Sequence, residues 1–230
     1  MNVRTTIVFS SLALIYLATL PLTPYVAQFL PKALPIVVLA VFAYTKLSAM
    51  PRYMVLAALL FSLAGDVSLA LPFADSFITG LACFFVAHLT YAMCFALLHR
   101  RLQETPGDHI ISRKPKWFIS IIMISFAVMM AVHILPASKA LFYPVVAYIS
   151  VITLMGLTAV WLAQTKLIVT GALLFVISDA ILAQSVFKTP LPLSTIWVMT
   201  TYYGAQYCLT MGLVDGFLRK ENRQEEIGQT

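Results

Sequence analysis

The sequence predicts an all-α protein, a polytopic transmembrane bundle of eight helices with both termini in the cytoplasm. The first observation is the composition: of 230 residues, 61% are hydrophobic and only 10% are charged, and the mean hydropathy is +0.92. A water-soluble domain of this length needs far more charged surface. The second observation is that apolar runs of roughly 20 residues, the length that crosses a bilayer, fill most of the chain. They leave no room for a separate soluble domain, so function is sought inside the bundle.

Charged or proline-containing breaks divide the chain into its predicted helices. These cover residues 5–22, 32–46, 53–71, 77–99, 117–135, 141–163, 167–187 and 192–217. The longest break, 100–116, is polar and basic and predicts a cytoplasmic loop between two halves, 1–99 and 117–217. A short polar tail follows at 218–230. All of 1–230 is therefore predicted to form one integral membrane domain.

The third observation is the unequal division of basic residues between the two sides of the membrane. Cytoplasmic loops carry the excess of Lys and Arg. With eight spans, the side that holds both termini carries Arg4, Lys46, Arg52, Arg100, Arg101, Arg113, Lys114, Lys116, Lys166, Arg219, Lys220 and Arg223. The other side carries Lys32, Lys139 and Lys188. This division of 12 to 3 predicts cytoplasmic termini in a cell (inner) membrane, whereas seven spans would scatter the charges.

The first apolar run has a second interpretation. Arg4 followed by 7-IVFSSLALIYLATL-20 has the pattern of a secretory signal peptide. The following stretch, 21-PLTPYVAQ-28, lacks a small-x-small cleavage site. We therefore expect this run to be the first membrane helix.

Two aspartates interrupt long apolar runs. Asp66 lies in 58-ALLFSLAGDVSLAL-71 and Asp179 in 171-GALLFVISDAILAQSVF-187. An ionised carboxylate inside a bilayer costs roughly 3 kcal/mol or more, so a functional reason is expected for each. Superposing the two aspartates aligns G-D-x-x-L-A at 65–70 with S-D-x-x-L-A at 178–183. One interpretation of this match is a pair of parallel four-helix repeats.

Other polar residues are expected at comparable depth, in the outer half of the bilayer. At 1.5 Å per residue, Asp66 lies roughly 7 Å and Asp179 roughly 12 Å from the outer end of its helix. The neighbours expected to converge on them in one polar cavity are Lys32, His88, Tyr91, Tyr148, Ser178, Tyr202 or Tyr203, and Gln206. The structural alternative is that Tyr148, Ser62 and Ser178 only join helices by hydrogen bonds, that His88 packs, and that Lys32 extends to the interface.

Three kinds of chemistry suit a pair of intramembrane aspartates. One is acid-catalysed hydrolysis, in which a protonated carboxyl donates and an ionised one stabilises positive charge. Another is intramembrane proteolysis, but 63-LAGD-66 lacks the first glycine of a G-x-G-D motif. The third is proton-coupled transport. A histidine-rich zinc site is not expected, because His88 is the one histidine near the centre of a span.

Several segments together resemble the YhhN-like lysoplasmalogenase family, whose members are eight-helix integral membrane alkenyl-ether hydrolases. They are 31-PKALP-35, 61-FSLAGDVSLAL-71, 80-GLACFFVAHLTYAMCF-95, 171-GALLFVISDAILA-183 and 202-YYGAQYCL-209. The matches cover most of the chain in the right order. The paired aspartate motifs are the most specific of them.

The resemblance implies a lysoplasmalogenase, which hydrolyses the sn-1 vinyl-ether bond of a lysoplasmalogen to a fatty aldehyde and glycerophosphoethanolamine or glycerophosphocholine. Asp66 and Asp179 are then the expected catalytic pair, with Asp179 as the favoured general acid. The residues expected to bind or orient the substrate are Lys32, His88, Tyr91, Tyr148, Ser178, Tyr203 and Gln206. No metal or organic cofactor is expected, and the partner is a lysophospholipid from the bilayer. A proton-coupled transporter or lipid-binding protein remains the alternative, followed by an intramembrane aspartyl protease.

Overall fold

The computed structural model describes residues 3–23, 25, 27–103, 113–163 and 165–228, and their regular structure is entirely helical. In chain order the helices are α1 Val3–Thr19, α2 Phe29–Lys46, α3 Ala49–Ala70, α4 Ser76–Gln103, α5 Arg113–Ser138, α6 Phe142–Thr158, α7 Lys166–Phe187 and α8 Ser194–Gly228. Short 3-10 turns occur at Leu20–Leu22 and Lys139–Leu141, and a π-helical turn, Ala159–Ala163, continues α6. The predicted all-α class is confirmed.

Among the described residues, six helical segments are long and apolar enough to cross a membrane. They are Val3–Leu22, Phe29–Lys46, Ala49–Ala70, Ser76–Arg101, Pro115–Leu162 and Lys166–Phe187. The segment Pro115–Leu162 has 48 residues and contains most of α5, a turn and α6, so it is long enough to cross twice. The chain is thus a multi-pass membrane protein. The count of eight spans, the two repeats and the cytoplasmic termini remain predictions.

Three helices, α4, α5 and α8, extend into polar sequence beyond the bounds that the apolar pattern predicted. α4 continues to Gln103 and α5 begins at Arg113, so helix enters both ends of the predicted loop 100–116. The rest of that loop lies outside the described residues. α8 runs to Gly228, through most of the predicted tail 218–230. Arg, Lys, Glu and Gln are good helix formers, which explains why these helices continue where hydrophobicity ends.

Close contact between α7 and α8 brings the C-terminal half of the bundle together. A Cβ added to Gly171 on α7 would lie 2.9 Å from the backbone nitrogen of Leu209 and 3.0 Å from the backbone oxygen of Ala205. Small residues let membrane helices approach in this way. α8 in turn contacts α1, α2, α3 and α4. The polar face of α8 therefore lies at the centre of the fold.

Candidate active site

A polar cavity of about 430 Å³ lies among α1, α2, α3, α4, α7 and α8. Asp66 on α3 and Asp179 on α7 both line it, as does Lys32 on α2. Its remaining polar lining comes from Tyr16, Thr23, Gln28, Ser76, Ser178, Ser185, Ser194, Thr195 and Tyr202. Two carboxylates and one cation therefore face the same space within the membrane-spanning part of the chain.

Asp66 is ion-paired with Lys32. The Nζ atom of Lys32 lies 3.1 Å from Oδ1 of Asp66 and also donates to the main-chain oxygen of Asp66 at 3.2 Å. The hydroxyl of Tyr202 donates to Oδ2 at 2.6 Å. The side chains of Lys32 and Asp66 are only 11% and 4% exposed, so little water screens the pair. These contacts favour an ionised Asp66 balanced by a positive Lys32.

Asp179 has a different set of partners. The hydroxyl of Tyr148 on α6 donates to Oδ2 at 2.6 Å, and Nε2 of His88 on α4 lies 3.2 Å from the same oxygen. The His88 Nε2 atom is also 3.1 Å from the Tyr148 hydroxyl. Both contacts of the Asp179 carboxyl are thus made by Oδ2, and its side chain is 13% exposed.

The imidazole of His88 is fully buried and held edge-on against Phe175, with 4.5 Å between ring centroids. Among the described residues, its Nδ1 atom has no hydrogen-bond partner. A buried N–H without a partner is costly, and more so on a charged ring. The geometry therefore favours a proton on Nε2, which donates it towards Asp179.

Adjacent tyrosines on α8 have separate contacts. Tyr202 binds Asp66, whereas the hydroxyl of Tyr203 donates to the main-chain oxygen of Lys32 at 2.9 Å. The predicted site residue Tyr203 therefore holds α2 in place beside the pair, and it is Tyr202 that touches a carboxylate. The sequence signal for Tyr202 was present in the Tyr-Tyr pair, but it did not tell which ring faces Asp66.

Three predicted site residues make helix-to-helix contacts. The Tyr91 hydroxyl donates to Oε1 of Gln206 at 2.5 Å, and neither residue lines the cavity. Ser178 lines the cavity while its hydroxyl donates to the main-chain oxygen of Val198 at 3.0 Å. The Nε2 atom of Gln206 has no hydrogen-bond partner in the part of the chain that the structure describes. Tyr91 and Gln206 thus join α4 to α8.

An apolar groove adjoins the polar cavity. Its open volume is about 80 Å³, and α4, α5, α6 and α7 supply nearly all of its lining. Three lining residues are polar: Tyr148, Thr153 and Asp179. The groove and the polar cavity share Leu69, Phe77, Phe84, Asp179 and Leu182. Asp179 therefore lies where a polar space meets an apolar one.

Within the described ranges, no three His, Cys, Asp or Glu side chains come close enough to hold a metal ion. The polar atoms of the site are instead carboxylates, hydroxyls, an imidazole and an amine. Such groups can transfer protons and stabilise charge.

The YhhN family model matches residues 27–213, most of the chain. The chain belongs to the YhhN family. It is 36% identical over 185 residues to the lysoplasmalogenase TMEM86B of Homo sapiens, a match that covers 79% of this chain and 73% of the human protein. It is 31% identical over 158 residues to the TMEM86B of Sus scrofa, covering 68% and 61%. It is also 29% identical over 167 residues to the lysoplasmalogenase TMEM86A of Bos taurus, covering 68% and 63%.

In this YhhN family member the matched region contains every predicted site residue, from Lys32 to Gln206. α1, which adds Tyr16 to the cavity wall, lies before the match. The chain spans less than two thirds of the length of the pig and cattle relatives. No solved structure matches the chain.

Proposed function

We propose that this YhhN family member is a lysoplasmalogenase, an ether-bond hydrolase that cleaves the sn-1 vinyl-ether bond of a lysoplasmalogen. The products are a fatty aldehyde and glycerophosphoethanolamine or glycerophosphocholine. The observation that carries the proposal is the place of Asp179, at the junction of a polar cavity and an apolar groove. In a lysoplasmalogen, the vinyl ether lies between the polar headgroup and the apolar chain. A substrate that fills both spaces therefore brings this bond beside Asp179. The relatives' names support the same activity.

Asp179 acts as the general acid. Hydrolysis of a vinyl ether begins with proton transfer to the β-carbon, which leaves an oxocarbenium ion. As the acid, Asp179 carries the transferable proton on Oδ1 while Oδ2 accepts from Tyr148 and His88, and no Lys or Arg lies against it among its described contacts. When the proton leaves, the same two donors stabilise the carboxylate that forms. General acid catalysis of this kind contributes typically 10²–10⁴-fold.

Asp66 supplies the negative charge that faces the cation. Lys32 and Tyr202 keep Asp66 ionised and fixed on the cavity wall. Water then adds to the oxocarbenium carbon and returns its proton to Asp179, and the hemiacetal collapses to the aldehyde and a free glycerol hydroxyl. The division between one acid and one ionised carboxylate parallels glycoside hydrolysis, in which a similar cation forms. The substrate enters from the outer half of a cell membrane in which both termini are cytoplasmic.

Aldehyde release by the purified protein in lipid nanodiscs tests the proposal. Alkenyl-lysophosphatidylethanolamine should give fatty aldehyde, and the saturated 1-alkyl analogue should give none because it cannot form the cation by protonation. Asp179→Asn should lower kcat by roughly 10²-fold or more. Asp66→Asn should do so as well. The matched control Asp215→Asn alters a half-exposed carboxylate that pairs with Arg219 at 2.9 Å, and it should retain activity. Near-normal turnover in a well-folded Asp179→Asn or Asp66→Asn variant contradicts the mechanism.

Proton-coupled transport is the second candidate, because a buried Lys–Asp pair inside a membrane bundle also suits ion coupling. An inactive pure protein that takes up lysolipid only under a pH gradient favours this alternative. Intramembrane proteolysis is less favoured. Proteases of that class share a proton between their aspartates, whereas Asp66 and Asp179 each hydrogen-bond to partners of their own.

A further inference from the structure

We propose that the apolar groove binds the substrate's single hydrocarbon chain and that its α5 wall limits the length of chain the protein accepts. The identity of the substrate rests on the proposed function. The binding site itself rests on the lining of the groove, on its continuity with the polar cavity and on the register of α5 against α7.

The lining selects hydrocarbon over a polar group. Of its three polar residues, Tyr148 and Asp179 already hydrogen-bond to each other at 2.6 Å. The hydroxyl of Thr153 donates to the main-chain oxygen of Ile149 within its own helix at 2.7 Å. A phosphate or an amine in the groove loses its water without gaining new partners, which is costly. A hydrocarbon chain has no such cost.

Continuity with the cavity selects an amphipathic occupant. The cavity and the groove adjoin each other, and Phe77, Phe84 and Leu182 line both. A molecule that occupies both spaces has a polar end among Lys32 and the cavity hydroxyls and an apolar chain that passes Asp179. A bulk bilayer lipid in the groove does not need the polar cavity. A single-chain lysolipid fills the two spaces at once.

The alignment of α5 beside α7 indicates the path of the substrate's hydrocarbon chain. Nε2 of His133 on α5 lies 2.8 Å from Oε1 of Gln184 on α7, so the two helices are side by side at this level. On α7 the lining extends over residues 176–187, about 16 Å at 1.5 Å per residue. On α5 it extends over residues 126–134. We therefore expect the substrate's hydrocarbon chain to lie along α5 and α6 after it passes Asp179.

α5 offers a matched pair of positions for a test. Ala127 lines the groove with the smallest side chain on the α5 wall. The next residue, Val128, is 57% exposed on the outer surface of the bundle. Ala127→Phe should fill the groove, whereas Val128→Phe adds a ring to the same helix in contact with lipid alone.

Chain-length preference is the first readout. Ala127→Phe should lower kcat/KM for an octadecenyl-lysolipid by about tenfold or more and for an octenyl-lysolipid by less than about threefold, since pockets discriminate chains by roughly these factors. Val128→Phe should change neither by more than about twofold. An equal loss for both substrates in Ala127→Phe, or no loss for the long one, overturns the proposal.

Photo-crosslinking is the second readout and does not depend on turnover. The probe is a saturated 1-alkyl-lysophosphatidylethanolamine with a diazirine near the end of its chain. Its label should map to groove-lining residues of α5 and α6, such as Met130, Ile134 and Ile152, and excess unlabelled 1-alkyl-lysolipid should displace it. Label confined to outward residues such as Val128, and not displaced, overturns the proposal.

The two readouts separate this inference from the proposed function. Displaceable label in the groove without any aldehyde release means that the chain site stands and the hydrolase assignment fails. Aldehyde release with label elsewhere means that the hydrolase stands and the chain site fails.

Discussion

Replacing Lys32 by Met should destabilise the protein, and replacing Asp66 at the same time should restore it. At the Nζ–Oδ1 distance of 3.1 Å, Coulomb attraction at an effective dielectric constant of 20 is about 5 kcal/mol. Removing one partner of a buried ion pair typically costs 3–5 kcal/mol, because the other charge stays buried without compensation. We expect about 3 kcal/mol for Lys32→Met, since the abandoned carboxylate can take up a proton instead.

The double variant Lys32→Met/Asp66→Asn removes both charges and should unfold within about 1 kcal/mol of the unaltered protein, because uncharged replacements for buried pairs are often neutral. Unfolding by SDS in mixed micelles, followed by the fluorescence of the three tryptophans, measures all four members of the cycle. The double variant should also be well folded yet inactive under the proposed mechanism. A destabilisation of the double variant that equals the sum of the two single-variant destabilisations refutes the reasoning, because it means that the two side chains are not coupled.

Two further changes test the surroundings of the site. Tyr148→Phe removes the 2.6 Å hydrogen bond to Asp179 and should lower kcat by roughly tenfold to a hundredfold with KM nearly unchanged, because a hydrogen bond to a charged group contributes about 1.5–3 kcal/mol. Steady-state kinetics measure this effect, with Tyr143→Phe as the control because Tyr143 is 81% exposed. A change in KM alone contradicts the prediction. Gly171→Ala should cost about 1–3 kcal/mol of stability in SDS unfolding, because its Cβ would meet the backbone of α8. In the control Gly204→Ala, the added Cβ would meet a single flexible leucine side chain, so this change should be neutral or stabilising by up to about 1 kcal/mol. Equal effects of the two changes on stability contradict this account.

The helices could be predicted because the bilayer imposes one strong requirement on the sequence. Each span needs about 20 apolar residues with internally satisfied backbone hydrogen bonds. The predicted helix 167–187 and the observed Lys166–Phe187 differ by one residue. Outside the membrane that requirement disappears, and the extension of α8 to Gly228 was missed because polar residues with high helix propensity carry no hydrophobic signal.

The contacts of the aspartates could not be predicted, because they depend on the rotation of each helix about its axis. Neighbouring residues on a helix point about 100° apart, so Tyr202 and Tyr203 cannot both face Asp66. Packing decides between them: the Tyr202 ring meets Phe84 and Phe175 edge-on, at 5.9 and 5.5 Å between centroids. The interpretation of Lys32 was incomplete for the same reason, since its depth in α2 did not reveal that it reaches Asp66.

Under the predicted repeat, Asp66 and Asp179 occupy matched positions but have different surroundings. The offset that superposes Asp66 on Asp179 also superposes Lys32 on Val145. Lys32 gives Asp66 a counter-charge and a place in the polar cavity, whereas Val145 is buried and lines the apolar groove. His88 and Tyr148 are the two partners of Asp179. The same offset superposes them on Thr201 and Pro35, which cannot take their places beside Asp66. Asp66 thus has an ion pair, whereas Asp179 has Tyr148 and His88 as partners and lies where the polar cavity meets the apolar groove, which is the asymmetry that the proposed acid and cation stabiliser require.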